Sequence, residues 1–153
     1  VLRPVAWTVS TVLPPIGLGN IRSPGTNDSV YVLDEPFEDN TLTNDRGMWD
    51  YMARHLTRHP ELSLGSPSIR WLNEALREMR SLAARPAPKL PGICFLGTNE
   101  RIVDPRRIRS RMGGWPGAEL IEFKDAEHEV MMEEVPVRTR VFDACASHFE
   151  AAR

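Results

Sequence analysis

Apolar and polar positions alternate along this chain in two textures. Up to about residue 88 the pattern is that of helices and loops. Val5 to Leu13 predicts a short helix, stopped by Pro14-Pro15, and Gly17 to Gly25 reads as loop. Asp45 to Arg58 predicts a second helix, ending before His59-Pro60. The clearest helix runs from Pro67 to Ala84, with Ser66 as its expected cap. Ile69, Trp71, Leu72, Leu76, Met79 and Ala83 form its expected apolar stripe.

Beyond Arg85-Pro86-Ala87-Pro88, which is too rich in proline for regular structure, the period changes. Gly92 to Gly97 is a short apolar run between glycines, expected to be a strand buried on both faces. Asp104-Pro105 opens a helix to about Met112, Glu119 to Phe123 forms the next strand, and Val135 to Ala152 the last helix. On that helix Val137, Val141, Phe142, Cys145 and Phe149 are expected to face the core. Strand, helix, strand, helix with short connections implies a parallel sheet and an α/β fold class.

Composition changes this picture little. The 153 residues are 41% hydrophobic and 26% charged, enough for a packed core. A net charge of -2 with dispersed basic residues gives no reason to expect a nucleic-acid partner. No apolar run reaches the ~18 residues of a transmembrane segment, and a cytoplasmic location, peripheral to an inner membrane at most, is the expectation. Cys94 and Cys145 lack metal-ligand spacing and read as buried free thiols. His55 and His59 lack the glutamate of a zinc helix, and His148 belongs to the terminal helix. No cofactor and no metal are expected.

The chemistry lies at the carboxyl ends of the two strands, where open parallel sheets bind ligands. Glu100 follows the first strand and His128 the second. Adjacent strands lie about 4.8 Å apart, so the two loops are within reach. A carboxylate that orients an imidazole is the acid–base part of a nucleophilic triad.

The segments carrying these residues, Leu96-Gly97-Thr98-Asn99-Glu100-Arg101-Ile102-Val103-Asp104-Pro105 and Asp125-Ala126-Glu127-His128-Glu129, resemble the acid segment and histidine loop of α/β-hydrolases. With His59-Pro60-Glu61-Leu62, the Pro67 to Arg80 helix and the Trp115-Pro116 turn, the pattern is similar to bacterial lysophospholipases of the serine aminopeptidase-like group. The resemblance implies a partial α/β-hydrolase fold: residues 1–88 as a helical cap and 89–153 as the C-terminal part of the core. It implies a carboxylic-ester hydrolase acting on lysophospholipids or monoacylglycerols. The family's usual acid is aspartate, and this chain has Glu100 at that position with Asp104 four residues later; either can be the triad acid. His128 is the implied base.

No Gly-x-Ser-x-Gly elbow occurs in the 153 residues, and Ser66 lacks the preceding strand a nucleophile needs. The expectation is therefore a C-terminal fragment that is inactive alone. Trp49, Met52 and Trp71, with Trp7, Met48, Ile69 and Met79, are candidates for the acyl-binding wall or for the cap's own core. Expected partners are a lipid-like ester substrate of the complete enzyme and, for an unpaired strand edge, a second copy or the missing N-terminal half. Dehalogenase or epoxide-hydrolase chemistry, or a non-catalytic chain retaining the fold, are the competing readings.

Overall fold

A computed structural model describes residues 2–24, 26 and 30–151. The expected loop end at Gly25 and helix end at Ala152 lie outside the described residues. The chain forms two compact units: Val1–Asp34 with His59–Pro86, and Glu35–Arg58 with Ala87–Arg153.

The first unit packs α1 (Leu2–Val12) against α4 (Ile69–Ala84), with the short α2 (Tyr31–Asp34) between them in sequence. A tight turn at Pro14–Ile16 follows α1 and closes on Gly17, whose φ of 86° lies in the left-handed region that glycine enters without penalty. Strand-like hydrogen bonds then join residues 19–23 to the approach of α4: Ile69 N–H donates to Ile21 O at 2.9 Å, and Ser23 N–H to Pro67 O at 3.0 Å. The cap of α4 is Ser68, whose Oγ accepts from Trp71 N–H at 3.2 Å; Ser66 lies two residues too early. Pro67 accordingly precedes the helix, its carbonyl being used by Ser23.

The stripe of α4 is narrower than the apolar residues suggest. Ile69, Asn73 and Leu76 are its buried residues, while Trp71 is 61% and Met79 52% exposed. At about 100° per residue, Trp71 sits some 200° round from Ile69, almost on the opposite face. Asn73 occupies the buried stripe because its amide donates to Ser10 Oγ at 3.2 Å and Thr11 Oγ1 at 3.4 Å on α1. Both hydroxyls give the buried amide the partners it needs.

The second unit holds β1 (Gly92–Gly97) and β2 (Ala118–Phe123), joined by α5 (Pro105–Gly113) and followed by α6 (Val135–Ala151). The strands are parallel and in register from Gly92 opposite Ala118 to Gly97 opposite Phe123. Only Leu96 and Gly97 of β1 are fully buried; Gly92 to Phe95 are partly covered rather than buried on both faces. Phe123, Ala126, Val130 and Val141 form the core, with Phe95, Ile121, Val137 and Cys145 packed on it. On α6 the core-facing line is buried Val141 flanked by partly buried Val137 and Cys145, at i, i+4, i+8; Phe142 and Phe149 turn away and are 49% and 70% exposed. Cys94 and Cys145 are free and partly buried.

One boundary between the compact units, Pro86/Ala87, falls in the proline-rich break, and the second unit also takes in residues 35–58. Residues 35–58, including α3 (Arg46–Arg58), pack with the strands, fastened at 40–45 by hydrogen bonds to the loop after β2. Arg138 of α6 also pairs with Asp45 at 3.5 Å. No described helix is long and apolar enough to cross a membrane.

Candidate active site

Two loops leave the carboxyl ends of β1 and β2 and are laced together. Thr98 N–H donates to Phe123 O at 2.9 Å, Asn99 N–H to Ala126 O at 3.0 Å, and Asp125 N–H to Thr98 Oγ1 at 2.8 Å. The Asn99 amide adds a bond to Asp125 O at 3.0 Å. Asp125 adopts φ 59°, a left-handed turn that Asp and Asn tolerate better than other side chains. Gly97 lets the loops approach: a Cβ there would lie 2.2 Å from Ala126 O and 2.3 Å from Glu127 O.

This lacing brings Glu100 and His128 together. Glu100 Oε2 lies 2.5 Å from His128 Nδ1. The Glu100 side chain is 4% exposed and that of His128 30%, so the acid is enclosed and the ring reaches the surface. Glu100 Oε1 accepts from Ile102 N–H at 2.6 Å and Val103 N–H at 2.9 Å. Burial disfavours the Glu100 carboxylate, but the Val103 amide, the His128 ring and the Ile102 amide outweigh it, as does the ring's positive charge when protonated. The group is held below the usual carboxylate range.

Asp104, the other candidate acid, is committed elsewhere. Its Oδ1 accepts Arg106 N–H at 3.0 Å, capping α5, and its carboxylate pairs with the Arg106 guanidinium at 3.1 and 3.3 Å. That guanidinium, first by its hydrogen bond, lowers the Asp104 carboxyl. The local sequence explains the division of labour. Asp104 stands directly before Pro105, the first helical residue, where a short acceptor is favoured. Glu100 stands in the turn, where its longer side chain folds back on two amides and across to the ring.

The candidate acyl-site residues separate. Trp49 is 5% exposed and meets Phe37 edge to face at 6.3 Å; Met52 is partly buried on the same helix. Trp71 belongs to the other compact unit and is exposed. His55 stacks on Tyr51, His59 contacts Glu61 at 3.1 Å, and His148 abuts Phe149.

Several residues around the pair are invisible to motif reading. Arg101 donates to Asn40 O at 3.2 Å and Glu127 Oε1 at 2.9 Å, beside a cleft of about 390 Å³ lined by Thr98, Asn99, Glu100, Arg101 and Glu127. Glu133, 1% exposed, accepts from the amides of Glu127 and Asn44. The only sequence hint of Glu133 is an acidic residue closing the apolar run Val130-Met131-Met132.

No family model matches the chain. Among curated proteins it is similar to a probable lysophospholipase L2 of Haemophilus influenzae, 28% identical over 113 residues, covering 73% of this chain and 36% of that protein. Among solved structures it resembles a soluble variant of monoglyceride lipase from Saccharomyces cerevisiae, crystallised with a substrate analogue. The TM-score is 0.67 at 15% identity, over 99% of this chain and 50% of the lipase. The chain thus spans about a third of the curated relative and half of the structural one.

Proposed function

From a partial α/β-hydrolase fold, we propose that this chain supplies the acid and base of a Ser–acid–His triad in an enzyme that cleaves carboxylic esters of lysophospholipids or monoacylglycerols. The observation that carries the reading is the Glu100–His128 contact at the ends of two adjacent parallel strands. Similarity to a lysophospholipase-type protein supports the substrate class.

In this reading Glu100 is ionised and holds the Nδ1–H of His128, which leaves Nε2 as the proton acceptor. A serine from the remainder of the enzyme loses its proton to Nε2 as its oxygen attacks the acyl carbonyl. The imidazolium formed is stabilised by Glu100, which keeps its own charge. The same Nε2–H then protonates the departing glycerol oxygen. Water, deprotonated by His128 in turn, attacks the acyl carbonyl, and His128 returns that proton to the serine oxygen as the fatty acid leaves. The nucleophile and the oxyanion donors are assigned to the part of the enzyme beyond this chain, and residues 1–88 to its cap. Trp71 on α4 is assigned to acyl contact through its exposed ring, whereas buried Trp49 and its neighbour Met52 serve packing first.

The test is ester hydrolysis by the complete protein, with monoacylglycerols, lysophospholipids and a short p-nitrophenyl ester. His128→Ala should lower kcat by at least about a thousandfold. Retention of more than a tenth of the turnover refutes the reading.

A further inference from the structure

We propose that Glu133 is a positioning residue for His128, the joint through which residues 41–45 hold the histidine loop against Glu100. The proposal rests on the reading of His128 as the proton-transfer group, and its spectroscopic test stands apart from hydrolysis.

Between β2 and α6 the chain runs through residues 124–134 with only one short helical turn, Val130–Met132. Such a loop has no ladder of its own to fix a ring at its centre. The fixing comes from outside it. Three consecutive amides around the ring are each held: Glu127 N–H by Glu133 Oε1 at 2.7 Å, His128 N–H by Thr41 O at 3.3 Å, and Glu129 N–H by Leu42 O at 2.8 Å.

The segment that supplies those carbonyls is itself fastened by Glu133. Asn44 N–H donates to Oε2 at 3.2 Å and the Asn44 amide to Oε1 at 3.1 Å; Glu134 N–H donates to Oε2 at 3.4 Å. Thr43, 1% exposed, donates its hydroxyl to Met132 O at 2.7 Å. Asn44 also reaches Asp125 O at 2.9 Å. Among the described residues, the partners of the Glu133 carboxylate are N–H donors, and they come from both sides of the join. A carboxylate buried this deeply is costly unless its lone pairs are met by such donors. An apolar residue there would leave the Glu127 and Asn44 amides unmet, so the acid is bound to its place by the loop it organises.

The test uses ring-nitrogen NMR of His128 in the 153-residue chain, assigned with a His128→Asn variant. Glu133→Gln keeps the volume but turns an NH2 toward amide donors. The expected result is loss of the hydrogen-bonded Nδ1–H signal, with ring shifts moving to those of Glu100→Gln. Val141→Ala, a buried core change that removes no hydrogen bond of the carboxylate, should keep the signal although it lowers stability. In the complete enzyme Glu133→Gln should lower kcat about ten- to a hundredfold, as an ångström-scale displacement does, with KM within twofold. A retained signal in Glu133→Gln overturns the proposal, and so does equal loss in Val141→Ala. Should Glu133→Gln not fold, Asn44→Ala decides in the same way: loss of the signal supports the joint, retention overturns it. Unchanged hydrolysis in His128→Ala would remove the triad reading and leave the ring spectra to decide the joint.

Discussion

Replacing Gly97 by alanine tests the close approach on which the Glu100–His128 contact depends. The added Cβ would stand 2.2 Å from Ala126 O, 2.3 Å from Glu127 O and 2.7 Å from Ala126 C, all backbone atoms of the histidine loop. An ordinary contact needs about 3.4 Å, so one loop must retreat by about 1 Å. Neither can do so freely. Ala126 O is bonded to Asn99 N–H at 3.0 Å, Asp125 O to the Asn99 amide at 3.0 Å, and Glu127 N–H to buried Glu133 at 2.7 Å. Overpacking typically costs 1–3 kcal/mol. Two carbonyls and no flexible side chain in the way place this case near about 3 kcal/mol. With a urea slope of about 1.5 kcal/mol/M for a chain of this size, the unfolding midpoint should fall by about 2 M. On the proposed function, turnover of the complete protein should fall about a hundredfold, the effect of an ångström-scale misplacement. A midpoint within about 0.3 M of the wild type, together with an intact Nδ1–H signal from His128, would refute the reasoning.

Other predictions separate the two carboxylates and the two tryptophans. Glu100→Gln should lower turnover at least a hundredfold, whereas Asp104→Asn should cost under about 1 kcal/mol of cap stability and leave turnover near normal; the reverse pattern in steady-state kinetics would reassign the acid. Because the Glu100 carboxyl is depressed in the folded chain, its contribution to stability is present above the unfolded carboxylate range, about pH 4.3, and is lost as pH falls through the folded value. The stability gap between wild type and Glu100→Gln, followed by urea titration, should therefore be widest above about pH 5 and narrow below pH 4. Trp49→Ala should cost about 3–5 kcal/mol and Trp71→Ala less than about 0.5 kcal/mol, measured by denaturation. On the proposed function, Trp71→Ala in the complete protein should alter the preference for long over short acyl chains.

Local order was written in the sequence wherever one residue type acts over short range. An apolar run between glycines placed the first strand, and the strand–helix–strand order implied its parallel pairing with the second. Proline and Asp104 together marked the start of α5. Because strand ends in a parallel sheet fall on one edge, the strand order alone puts Glu100 and His128 within reach of each other. Other features needed the third dimension. Apolar residues alone overestimated the buried faces of α4 and α6, because Trp71, Met79, Phe142 and Phe149 sit at angles the core does not reach. Asn73 and Glu133 are buried because donors or acceptors from residues about 60 and 90 positions away meet them, and no local pattern encodes such partners. Which carboxylate meets the His128 ring likewise depended on local partners: Asp104 is used by the helix it starts, and Glu100 by two turn amides and a ring 28 residues further on. Periodicity reports what a segment can bury. Long-range hydrogen bonding, which depends on how segments meet, decided what it does bury and which way the imidazole faces.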